Sequence, residues 1–179
     1  DDLRRIAEVA PPVGRGEAIP AHPPRVVPDL RVGIAQDEAC GFYYADDLET
    51  LQAAGAELVP FSPVCDPALP QVDALFIGGG FPEVRMAQLE ANSSLRREIR
   101  GFIEQGGPVY AECGGLMYLA RSLSWRGRRC EMVGVVPADA VMYERPQGRG
   151  YVRLRETSAF PWPDGVGQEI AGHEFHYSR

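Results

Sequence analysis

From Arg31 onward, apolar residues fall into two alternating patterns. Short unbroken apolar runs, of the length of buried strands, cover 31–35, 57–61, 74–77 and 109–111. Between them, periodic segments predict helices over 46–54, 85–90 and 94–105, the first closed by Gly55. The third helix turns Leu95, Ile99, Phe102 and Ile103 to one side, with Ser93 or Ser94 placed to cap its start and Gly106 to end it. Residues 130–155 read as strand-rich, at 132–136, 141–144 and 151–155, and 170–177 as a last strand. Strands alternating with helices predict an α/β fold: a three-layer, open, mostly parallel sheet with helices on both faces. In such folds sites form beyond the carboxyl ends of the strands. Two glycine-rich turns fall there, one after Ile77 and one around Cys113.

The first thirty residues have another character. A short helix is expected over 1–10, with Leu3, Ile6 and Ala10 on one side. Pro11, Pro12, Gly14, Gly16, Pro20, Pro23, Pro24 and Pro28 then punctuate an extended linker. The expected organisation is a connection over 1–30 from an absent upstream domain, and one folded domain over 31–179.

Composition narrows the function. The 179 residues are 45% hydrophobic and 24% charged, ordinary for a soluble domain. The net charge of −7 argues against nucleic-acid and anionic-membrane partners. No apolar run reaches transmembrane length. Cys40, Cys65, Cys113 and Cys130 are widely spaced, which argues against a zinc site or a disulfide framework and points to a cytoplasmic protein with no bound metal. All 18 basic residues are arginine. A phosphate-binding P-loop needs a lysine, so no ATP site of that kind is expected here.

The sharpest chemistry lies at 108–123. A strand ends at Cys113, Gly114 and Gly115 follow, and Leu116, Leu119, Ala120 and Leu123 recur at helical spacing. A cysteine on such an elbow is held out of the sheet, and a helix N-terminus behind it would favour thiolate over thiol. A thiolate attacking an amide needs N–H donors waiting for the carbonyl oxygen. Gly78-Gly79-Gly80 suits that task, with the Gly114 N–H as second donor; by itself a triple glycine is equally a plain turn. A base is also needed, and the chain has only His22, His173 and His176. His22 lies in the linker. His173 and His176 point to opposite faces of a strand, so at most one meets the site, as a base or as a hydrogen-bonded wall residue.

Five segments together carry a family resemblance: Phe42-Tyr43-Tyr44, residues 55–63, Gly78-Gly79-Gly80-Phe81-Pro82-Glu83, residues 111–119, and Gly172-His173-Glu174-Phe175-His176-Tyr177-Ser178. In this order the chain resembles the C-terminal glutamine amidotransferase domain of cobyrinic and hydrogenobyrinic acid a,c-diamide synthases. The resemblance implies a flavodoxin-like, class I amidotransferase fold. It implies Cys113 as nucleophile, Gly80 and Gly114 at the oxyanion, and Gly79, Phe81, His176 and Tyr177 around the glutamine. It implies L-glutamine as ammonia source, and ATP and Mg in the absent upstream domain, which would present a corrinoid. Related enzymes act on other tetrapyrroles such as nickel-sirohydrochlorin, and a non-catalytic module of the same fold is the alternative of another class. A homodimer is left open. The family pattern also places a catalytic histidine beyond Arg179, so the 179 residues alone are expected to be inactive or impaired.

Overall fold

The computed structural model describes residues 29–158 and 169–179, with Arg5, Glu8, Val9 and Gly167 beside them. Those few positions apart, the helix and linker expected before residue 30 lie outside the described residues.

Leu30–Ala35 (β1), Ala56–Phe61 (β2), Ala74–Ile77 (β3) and Val109–Ala111 (β4) form one parallel sheet in the order β2-β1-β3-β4. Ile34 lies opposite Pro60 and Phe76, and Ile77 opposite Ala111. Strand alternation then divides the core in two. Leu75 and Ile77 point into the larger part, and Val32, Ile34 and Phe76 into the smaller. Pro82–Ala91 (α2) and Ser93–Glu104 (α3) cover the first with Met86, Leu89, Leu95 and Ile99. Ala45–Ala53 (α1) covers the second with Leu48 and Leu51. This is the expected three-layer arrangement. Cover on the α1 face is partial, since Tyr110 is half-exposed and meets Phe76 edge to face at 5.3 Å in an open groove.

The cap of α3 differs from expectation. Asn92, not Ser93 or Ser94, precedes the helix. Its side chain does not cap; it donates to Pro63 O and Asp66 O and ties the α2–α3 corner to the loop after β2.

The larger correction follows Cys113. The amphipathic helix expected to run to Leu123 stops after six residues, Gly114–Leu119 (α4), and Ala120–Trp125 is a strand, β5. Leu116, read as an inward position, is half-exposed, while Met117, Tyr118 and Leu119 are buried. Tertiary hydrogen bonds decide the matter. The N–H groups of Val133, Val135 and Gly134 donate to the carbonyls of Tyr118, Leu119 and Ala120, which a longer helix would have used itself. The strand-rich region does not extend the parallel sheet either. Arg128–Glu131 (β6) and Val136–Val141 (β7) flank β5 in a second, mixed sheet, so 132–136 is mostly the link between them. Of 141–144, only Val141 lies in a strand, and Met142 makes an isolated bridge to Ser178. Gly148–Arg155 (β8) and Glu169–His176 (β9) pair as an antiparallel ribbon that includes the expected last strand.

Two glycines test this packing in opposite directions. A Cβ on Gly101, inside α3, meets only the flexible end of Gln105 at 3.6 Å. Gly101→Ala should therefore stabilise the domain by about 0.5–1 kcal/mol through helix propensity. A Cβ on Gly115 would fall 2.0 Å from the backbone oxygen of Ile77. Gly115→Ala should lower the urea midpoint, by about 1–3 kcal/mol of overpacking or more. Equal effects of the two substitutions would refute the packing described.

Candidate active site

Cys113 sits between β4 and α4 with φ 49 and ψ −114, a left-side conformation that costs a residue with a Cβ about 1–3 kcal/mol. The strain has a geometric result: the side chain is exposed, standing clear of the sheet edge. The elbow forms because β4 ends at Ala111, the Glu112 N–H bonds Ile77 O at 3.2 Å, and the Gly115 N–H turns back to Glu112 O at 2.8 Å.

The triple glycine lies against this elbow. An ideal Cβ on Gly114 would be 2.9 Å from Gly80 N and 2.8 Å from Gly80 O, and one on Gly79 would be 3.6 Å from the Cys113 Cβ. The turn is gripped from its other side by residues 36–44. Gly41 and Phe42 both donate to Gly79 O, at 2.9 and 3.0 Å. The Tyr43 hydroxyl accepts from the Gly78 N–H at 3.0 Å and donates to Ala35 O at 2.6 Å, and burial pushes its pKa upward. Asp37 fixes that segment in turn, accepting from the Ala39 and Cys40 N–H groups and from Ser62 and Val64. Among the described residues neither the Gly80 nor the Gly114 N–H donates to a protein acceptor. Two adjacent, immobilised, unspent donors beside an exposed sulfur are what an oxyanion requires.

A cavity of about 580 Å³ opens over the sulfur, lined by Gly80, Phe81, Cys113, His176 and Tyr177 among others. Most residues singled out in the sequence thus converge here; Gly79 and Gly114 are buried and do not line the cavity, but adjoin Gly80 and Cys113, which do. Two larger cavities, of about 800 and 860 Å³, contain no exposed cysteine. The arginine-rich one reaches only Cys130, which is buried and whose thiol pKa burial pushes up. Cys40 is pushed up to about 12 by burial, with Asp37 adding to the rise. Cys113 and Cys65 are the exposed thiols.

A CobB/CobQ-like glutamine amidotransferase domain matches residues 31–179. The chain belongs to this family. Cobyrinate a,c-diamide synthase of Magnetococcus marinus is 46% identical, over 100% of the chain and 39% of its own length. The protein of that name from Methanothermobacter thermautotrophicus is 43% identical, over 99% of the chain and 39% of its own length. The chain therefore spans well under half of the curated relatives it matches. A solved glutamine amidotransferase superposes with a TM-score of 0.52 at 18% identity, covering 82% of this chain and 70% of its own, a likeness of fold.

The histidines of this amidotransferase domain are separated as their spacing requires. His173 stacks edge to face on Tyr151 at 5.6 Å and does not line the cavity, whereas His176 does. His176 is engaged at both ring nitrogens, Nδ1 with Ser178 O at 2.7 Å and Nε2 with the Glu174 carboxylate at 3.5 Å. No hydrogen bond joins it to Cys113 among the described residues. The ribbon reaches the cavity because Tyr143 and Val141 pair with Tyr177 and Arg179 through backbone bonds of 3.0 and 2.9 Å.

Among the wall residues that the sequence did not single out, Glu83 is the buried acid. It lies in the first turn of α2, is 8% exposed, and its Oε2 has no partner among the described residues. Burial pushes its pKa above the ordinary carboxylate value, its own backbone N–H offsetting part of the rise. The stability that Glu83 contributes is then full below the unfolded-chain value of 4.5 and is lost as pH rises through the higher folded value. Glu83→Gln should accordingly gain on the parent protein as pH rises from about 4 to 7, by urea denaturation at each pH. A gap independent of pH would show that the carboxylate is not desolvated.

Proposed function

We propose that this chain is the glutaminase part of an ATP-dependent amidoligase, hydrolysing L-glutamine and delivering ammonia for amidation of the a and c carboxylates of cobyrinic or hydrogenobyrinic acid in cobalamin biosynthesis. The observation that carries the reading is the strained, exposed Cys113 elbow packed against a glycine turn, with the Gly80 and Gly114 N–H groups unspent among the described residues. The relatives' names, and the share of their length that the chain spans, support the larger assignment.

In this reading the Cys113 sulfur attacks Cδ of glutamine, and the amide oxygen becomes an oxyanion held by the Gly80 and Gly114 N–H groups. The tetrahedral adduct collapses, the C–N bond breaks, and the nitrogen leaves as ammonia after gaining a proton. Water then cleaves the γ-glutamyl thioester, giving glutamate and restoring the thiol. Phe81, His176 and Tyr177 form the wall around the glutamine, over the Gly79 backbone. The base is a histidine that the family pattern places after Arg179; the engagement of both His176 nitrogens supports a wall role for that residue. The 179 residues alone then lack sustained turnover.

ATP and Mg belong to an upstream domain, joined through residues 1–30. The glycine turn of this chain does not fit a triphosphate. The glycine turn after β3 runs into Phe81, Pro82 and a buried acid, Glu83, where a phosphate loop needs a cation.

In the full-length protein with cobyrinic acid and ATP, Cys113→Ala should abolish amidation driven by glutamine and spare amidation driven by ammonium salts. Glutamine-driven turnover in that variant would refute the nucleophile. A side chain at Gly80 would meet Ala39 O at 2.0 Å and displace the turn. Gly80→Ala should cut glutaminase kcat by about 100- to 1,000-fold, as loss of one oxyanion donor does elsewhere. A retained kcat would place the oxyanion on other groups.

A further inference from the structure

We propose that Glu83 binds the α-ammonium group of the glutamine, so that the pocket selects a free amino acid and rejects the same amide without the α-nitrogen. This rests on the glutaminase reading and adds to it the residue that recognises the substrate's cationic end.

Glu83 stands apart from the other acids near the cavity. Glu144 also lines it but is exposed, so water already solvates its charge. Glu174 faces His176 and is half-buried. Glu83 is largely buried, its Oε2 lacks a donor among the described residues, and it lines the same cavity as Cys113. A buried, half-satisfied carboxylate is costly unless a ligand completes it. An ammonium group supplies both the missing donor and the opposite charge, whereas the neutral side-chain amide would leave the charge uncompensated.

Placement agrees with this. Glu83 follows Gly80 by three residues, held by Pro82 at the first position of α2, and Pro82 Cδ would lie 2.9 Å from a Cβ on Gly114. The acid and the Gly80 donor thus share one backbone segment, which packs against Gly114. On the wall of the same cavity, Arg126 lies over the Trp125 ring with its guanidinium carbon 4.4 Å from the centroid, and it makes no ion pair among the described residues. The cavity therefore offers a free cation as well as a free anion, matching the two charged ends of an α-amino acid.

The test compares L-glutamine with glutaramate, which keeps the δ-amide and lacks only the α-ammonium, by ammonia release from the full-length protein. The parent protein should favour glutamine by about ten- to a hundredfold or more in kcat/KM, the range of a charge-assisted hydrogen bond. Glu83→Gln should lose most of that preference through a higher KM for glutamine, with kcat/KM for glutaramate nearly unchanged. Glu83→Asp, which keeps the charge, should retain part of the preference. Equal use of the two amides by the parent protein, an undiminished preference in Glu83→Gln, or equal losses in Gln and Asp variants would overturn the assignment. Failure of the underlying reading looks different: neither amide is hydrolysed, or hydrolysis survives Cys113→Ala.

Discussion

Backbone pressed against backbone at two strand ends is the constraint on which the rest depends. The turn after β3 and the elbow after β4 approach so closely that a Cβ on Gly114 or Gly115 would penetrate main-chain atoms at 2.0 to 2.9 Å. Such an approach is open only to glycine. It brings the N–H of Gly80 beside that of Gly114, and it holds α4 against Ile77. The parallel pairing of β3 with β4 sets the distance, since Ile77 and Ala111 are partners in the ladder and both turns leave from their ends. The site is thus a product of sheet register before any side chain enters.

That contact would be loose if the glycine turn were held on one side only. Three glycines carry high chain entropy, and an oxyanion hole works because its donors do not move when charge appears. The 36–44 segment supplies the rigidity. Asp37 gathers two N–H groups with one oxygen, and a hydroxyl and a further N–H with the other. Tyr43, packed edge to face on Phe76 at 4.9 Å, bonds the first glycine of the turn. Strain at Cys113 is tolerated for the same reason, because the flanking bonds leave the elbow no relaxed alternative.

Legibility in the sequence followed the source of each element's order. Strands β1 to β4 and the two glycine turns could be read because buried parallel strands are short apolar runs punctuated by glycine, a local signal. Cys113 could be read from that punctuation. The end of α4 could not, since it is imposed by donors from residues 133–135, and Leu116 and Leu123 kept helical spacing while belonging to different elements. The division of the strand-rich tail into a mixed sheet and a ribbon was hidden likewise, because each strand's partner lies elsewhere in the chain. Glu83 escaped notice because an acid at the second position of a helix reads as ordinary dipole compensation. Only its burial and missing partner mark it out.

Those two properties bear on how the pocket selects. A pocket made of backbone N–H groups and aromatic walls would grip any primary amide of suitable size, since the reacting end of glutamine is shared by many molecules. Discrimination must come from groups left unsatisfied until the right ligand arrives, which is how buried polar sites reject near analogues by large factors. A carboxylate already paired with an arginine of the protein could not act so. Among the described residues, Arg85 beside it in sequence pairs instead with Glu38, and Arg126 is drawn onto Trp125. The cations nearest in chain and in cavity are thus occupied elsewhere or held apart, leaving Glu83 unpartnered at a cost to stability. That cost and the strain at Cys113 fall on the wall of one cavity, where a buried polar group without a partner and a strained backbone mark the same site.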